Sequence, residues 1–132
     1  MGYELKTADF SLVLDLDIFF NDIQYPENTI LKISLDSRGF SAHTTMDIDI
    51  KEFSVFVSDI EKLYDTLSGA AEIKEPYGSQ SIKFSAGKAG HIYVSGTLSG
   101  SDGGYCQSLE FENSFDQTYL KNFVHSLKGM YK

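Results

Sequence analysis

Two stretches of this chain repeat their apolar residues every three or four positions, and the segments around them alternate apolar with polar residues. In "DIKEFSVFVSDIEKLYDTLSG" the stripe runs through Phe53, Phe56, Val57, Ile60, Leu63, Tyr64 and Leu67. In "DQTYLKNFVHSLKG" it runs through Leu120, Phe123, Val124 and Leu127. That period belongs to an amphipathic helix, which must cover its apolar side with something. An antiparallel sheet with one buried face supplies the cover. The pattern therefore predicts an α+β fold: an antiparallel sheet of about six or seven strands with two amphipathic helices. Its order is β-β-β-α-β-β-β(-β)-α.

Both helices carry start and stop signals. Asp49 followed three residues later by Glu52 fits a capping box, and Ile48 meets Phe53 as a hydrophobic staple. Asp116 as N-cap repeats the staple with Phe115 and Leu120, and places Gln117 and Thr118 in the first turn. "SFDQTYLKNF" thus reads as a helix start, because a catalytic reading needs a second group that the chain does not offer. Gly69 and Gly129 suit the left-handed position after a helix end.

The remaining segments read as strands. "FSLVLDLDIF" puts Phe10, Leu12, Leu14, Leu16 and Ile18 on one face and Asp15 and Asp17 on the other. A hairpin around Asp36-Ser37-Arg38-Gly39 pairs Leu35 with Phe40, Ile33 with Ala42 and Leu31 with Thr44. A loop at Gly87-Lys88-Ala89 pairs Phe84 with Ile92, and Ile82 with Val94. The glycine-dense "SGSDGG" pairs Leu98 with Tyr105, Val94 with Leu109 and Ile92 with Phe111. Each pairing keeps one apolar face.

Few kinds of chemistry are compatible with these registers. Cys106, the sole cysteine, excludes an internal disulfide and a cysteine-rich metal site. It faces Thr97, roughly 20 Å from His91 at about 3.3 Å per residue, so no thiol–imidazole pair forms. His91 faces Glu112, His43 faces Lys32, and His125 lies off the apolar stripe. The acid pairs "DLD" and "DID" lack the oxygen density of a calcium loop. "GSDGG" runs from strand to strand and not into a helix, so it is no phosphate cradle. No cofactor, metal or catalytic group is expected.

The 132 residues suffice for a single domain, 1–132, with a net charge of −8. The charge is one-sided: residues 1–68 carry 13 acids against 5 bases, while residues 69–132 carry 6 of each. Such a chain lacks the basic footprint of a nucleic-acid binder, and its charge suits a basic partner or simply solubility. Asp15, Asp17 and Asp47 are the candidates for an acidic contact face. The first residues have neither the basic nor the apolar region of a signal peptide, and no apolar run reaches the roughly 20 residues that span a bilayer. A soluble, cytoplasmic protein without membrane contact is the reading.

Three segments carry a family resemblance: "LYDTLSGAAEI", "HIYVSGTLSG" and "SLEFENSFDQTYLKNFVHSLK". From roughly residue 40 to the end, the chain resembles the bacterial WapI-like immunity proteins. The most specific part is the acidic-aromatic strand leading into Asp-Gln-Thr and a helix. The resemblance implies a non-enzymatic, cytoplasmic protein that binds and blocks the toxin domain of a polymorphic toxin. It also implies a nuclease, hence basic, toxin. The alternative from the residues alone is an α+β domain that binds a small ligand or another protein without catalysis.

Overall fold

The computed structural model describes residues 2–22, 24–25 and 27–129. Four strands open the chain: β1 (Gly2–Lys6), β2 (Phe10–Ile18), β3 (Thr29–Ser37) and β4 (Phe40–Ile48). Helix α1 (Ile50–Thr66) follows. The plan then repeats with β5 (Ala70–Lys74), β6 (Ser81–Ala86), β7 (His91–Asp102) and β8 (Tyr105–Asp116), closed by α2 (Leu120–Gly129). The described residues thus form two four-stranded antiparallel sheets, each a meander in chain order. The α+β class is as expected, but one sheet of six or seven strands becomes two sheets of four. The strand missed at the start is β1, whose "GYELK" offers only Tyr3 and Leu5 as an apolar alternation.

Each helix lies against the first strand of the other half's sheet. Helix α1 packs on β5, α2 packs on β1, and the two helices touch. Their stripes meet one core that spans both halves. Phe10 of β2 is stacked with Phe115 and tilted to Phe111 of β8, both at 6.3 Å. Phe84 of β6 contacts Phe56 of α1 at 6.1 Å, Phe115 at 6.5 Å and Phe123 of α2 at 6.2 Å. Fully burying each such side chain stabilises the fold by about 1.5–3 kcal/mol.

Two of the three hairpin loops are tighter than the sequence suggests, and the other keeps its length but shifts by one residue. The first turn is Arg38-Gly39 alone, with φ of 49° and 89°, so Ser37 faces Phe40, Leu35 faces Ala42 and Ile33 faces Thr44. A non-glycine residue seldom adopts positive φ. Here Arg38 is held from outside: its N–H donates to the Asp9 carbonyl at 3.0 Å and its guanidinium pairs with the Asp9 carboxylate at 2.9 Å. The second loop is Lys88–Gly90, with Ala89 and Gly90 at positive φ, and Phe84 faces Val94. The third is Gly103-Gly104, and Leu98 faces Leu109. The expected registers were therefore displaced by two, two and four residues. All the displacements are even, so every side chain keeps its face.

Helix ends differ in similar fashion. Leu67, not glycine, takes the left-handed conformation after α1 (φ 53°), and its N–H closes on the Leu63 carbonyl at 2.9 Å. Gly69 turns two residues later, at φ 87°, into β5. Gly129 belongs to α2 itself. One glycine is needed for space. Gly96 of β7 lies opposite Phe111, and a Cβ there would sit 2.2 Å from the Ser81 carbonyl oxygen and 3.0 Å from the Phe111 ring.

Candidate partner-binding surface

The three candidate acids share the solvent face of the first sheet. Asp15 lies on β2 between Gly2 and Lys32, and it is partly covered. Asp17 and Asp47 both lie opposite Ile30, one from β2 and one from β4, and both are exposed. Two neighbouring strand spacings put these carboxylate-bearing positions about 10 Å apart across a half-buried isoleucine. No base shares that row. On the second sheet, Glu72 lies opposite Lys83, and His91 opposite Asp116. The first sheet thus adds an acidic row at Asp17 and Asp47 to its opposed pair of Asp15 and Lys32, where the second has opposed charges.

The caps lie at two helical starts. Asp49 sits before α1 in an extended conformation, and its side chain accepts the Lys51 N–H at 2.9 Å. The Glu52 N–H goes instead to the Asp49 carbonyl at 2.9 Å, so the side-chain cap reaches one residue short of the expected box. Glu52 is the acid of the first turn, where the helix dipole favours negative charge. Asp116 caps a single 3-10 turn, Gln117–Tyr119, that leads into α2. Its carboxylate accepts from the Thr118 N–H at 2.9 Å. That backbone bond, the Thr118 hydroxyl and the neighbouring His91 hold the Asp116 carboxyl below its ordinary pKa, against a small opposing effect of burial.

Three buried amides carry polar contacts that the sequence reading passed over. Asn28, 1% exposed, accepts the Ile50 N–H at 2.9 Å and donates to the Tyr25 carbonyl at 3.0 Å, fixing the β2–β3 loop to the start of α1. Asn113 of β8 donates to the Ser37 hydroxyl at 3.1 Å, joining the two sheets. Gln80, 5% exposed, does the same elsewhere. Its amide donates to the Thr45 carbonyl of β4 at 2.8 Å and accepts the Ser99 N–H of β7 at 3.0 Å. Thr44 Oγ1 adds a bond to the Ser99 carbonyl at 2.8 Å. A signal for two of them was present. Asn113 stands in the inward phase of Leu109, Phe111 and Phe115, and Gln80 in that of Ile82 and Phe84. A polar residue at a core phase announces a buried bond.

Beyond the Gln80 crossing, β4 and the β7–β8 hairpin diverge and leave an open groove of about 1080 Å³. Glu75 and Asp102 are its acids, and its lining contains no Lys or Arg. Cys106, exposed on the hairpin, faces Ser101 and not Thr97. His91 is opposite Asp116, not Glu112, ten positions further along β7 and about 33 Å away. His43 faces Ser34, with its Nδ1 3.1 Å from the hydroxyl, while Lys32 faces Thr45. Among the described residues no group of three or more His, Cys, Asp or Glu could hold a metal ion, and no helix is long and apolar enough to cross a membrane.

The family model described as the immunity protein WapI-like family matches residues 12–132. No curated sequence matches the chain. Among solved structures, the chain is similar to the crystal structure of WHY1 from Arabidopsis thaliana, with 9% identity and a TM-score of 0.49 over 98% of this chain and 87% of that one. It is also similar to the plant transcriptional regulator PBF-2, with 9% identity and a TM-score of 0.48 over 98% of this chain and 79% of the other. At those values neither likeness bears on function.

Proposed function

This chain belongs to the WapI-like immunity protein family, and from that premise we propose that it binds and neutralises a cognate toxin domain, basic and a nuclease. The family match over residues 12–132 carries the reading. It acts by occupying the toxin, without catalysis of its own, in the cytoplasm where an incoming toxin would do its damage. The charge distribution supports the sign of the partner. An acidic row at Asp17 and Asp47, with Asp15 beside it, draws a basic surface at long range and orients it before contact.

The test is to express the chain with the toxin domain encoded next to it. A stoichiometric complex that restores growth to toxin-producing cells is the expected result; free chain and undiminished toxicity would refute it. Replacing Asp15, Asp17 and Asp47 by Asn keeps side-chain shape and removes three charges. The association rate should fall at low salt, and the difference should shrink as the Debye length drops to roughly 3 Å near 1 M. An unchanged rate would make this row a solubility feature only.

A further inference from the structure

The groove beside Gln80 is bordered by two strand edges whose backbone groups point into it. The two-residue turn at Arg38-Gly39 makes Ser37 and Phe40 the hydrogen-bonded pair that closes the β3–β4 hairpin. Pairs then alternate, so Ser41, His43 and Thr45 direct their N–H and C=O away from β3. The Gln80 bond to the Thr45 carbonyl, 2.8 Å, fixes that direction independently. The Gly103-Gly104 turn does the same for β7, turning the backbone groups of Ser99 and Ser101 away from β8. On that side β6 has already ended, because its last pair is Ser81 with Thr97. Ser99 is satisfied by Gln80 and Thr44. Ser101 on one wall and Ser41 and His43 on the other face the open groove.

Native edges are ordinarily blunted by charge, proline or a covering element. The other edges here follow that rule: β1 and β5 lie against the helices, and β8 carries Glu110, Glu112 and Asp116. Residues 40–46, "FSAHTTM", contain no Lys, Arg, Asp, Glu or Pro. An unguarded edge facing a second edge across a groove has the chemistry to receive one extended backbone between them. The acids of the lining, Glu75 and Asp102, with no Lys or Arg among it, set that segment's charge as positive.

We propose that the groove takes an extended basic segment of the toxin domain as an added strand, paired with β4 at Ser41 and His43 and with β7 at Ser101. This rests on the immunity reading given above. Amide hydrogen exchange on the chain, alone and with the toxin domain encoded beside it, tests it directly. Exchange at Ser41, His43 and Ser101 should slow on complex formation. His43→Pro removes an N–H that the β3 ladder does not use, so it should raise Kd about tenfold, equivalent to losing one backbone bond of about 1.4 kcal/mol, while leaving the melting curve in place. A complex in which those amides exchange at the free rate overturns the groove and leaves the immunity reading standing. The absence of any complex overturns both. Protection that grows with chain concentration alone identifies a second copy as the occupant, and also overturns it.

Discussion

In the first half of the molecule, four strands of five to nine residues lead into a 17-residue helix; in the second, four strands of five to twelve lead into a helix of ten. The sheet orders match strand for strand. What differs is the outside. The first sheet carries an acidic row around Ile30 beside its opposed pair of Asp15 and Lys32, whereas the second opposes Glu72 to Lys83. The second sheet instead sends the β7–β8 hairpin past its neighbours, with residues 100–108 exposed. Inward faces are constrained by a shared core, while outward faces are free to specialise. The difference lies in the two surfaces to which the partner contacts proposed above are assigned.

The largest expected effect lies where the halves touch. Phe10→Ala should cost about 3–5 kcal/mol in chemical denaturation, because the ring fills the space between Phe111 and Phe115. Phe20→Ala, at 74% exposure, should stay within about 0.5 kcal/mol. Equal losses from both would break the account of a core shared across the halves.

Removing the buried amides separates contacts within a half from contacts between halves. Asn28→Ala and Gln80→Ala should each cost about 1–3 kcal/mol, since each strands a partly buried backbone group. Hydrogen exchange distinguishes them. The first should loosen the start of α1, the second the meeting of β4 with β7.

The two caps differ in how much they hold. Asp49→Ala should cost about 0.5–2 kcal/mol, with Asp49→Ser restoring most of it. Asp116→Ala should cost less, because Asp116 is exposed and closes a single 3-10 turn. Its depressed pKa gives that contribution a pH signature. The stability from Asp116 is fully present above the unfolded carboxyl pKa near 3.8 and disappears as pH falls through the lower folded value. Thermal melts of wild type and Asp116→Asn should therefore differ at neutral pH and converge in strong acid.

The smallest effect on stability should come from the acidic row. Asp17→Asn with Asp47→Asn should leave stability within about 0.5 kcal/mol and slow toxin association, whereas Glu110→Gln with Glu112→Gln should leave that rate alone. If the second-half pair slows association as much, the row has no special role.

The faces of the elements were legible in the residues, and their pairings were not. Leu31, Ile33, Phe84 and Val94 are all buried, on the sides their alternation assigns. Alternation fixes only the phase of a strand, and a slip of two or four residues leaves it intact. The turn decides the register. Arg38 adopts positive φ because Asp9, 29 residues earlier, holds it, and no local signal carries that contact. The groove was unreadable for a related reason. It exists where two hairpins from different halves are joined by Gln80, 35 residues from Thr45 in sequence. Asp15 and Asp17, by contrast, could be placed on one face of β2 from their spacing alone.

The crossing of the helices has a further consequence. Each helix leans chiefly on the other half: α1 rests on β5, and α2 returns to β1. An isolated half would leave much of its sheet's apolar face and of its helix stripe in water. Loss of one half thus removes shelter from the other, and no stable halfway state is expected. Melting should be all-or-none, with probes in either sheet losing their signal at the same denaturant concentration.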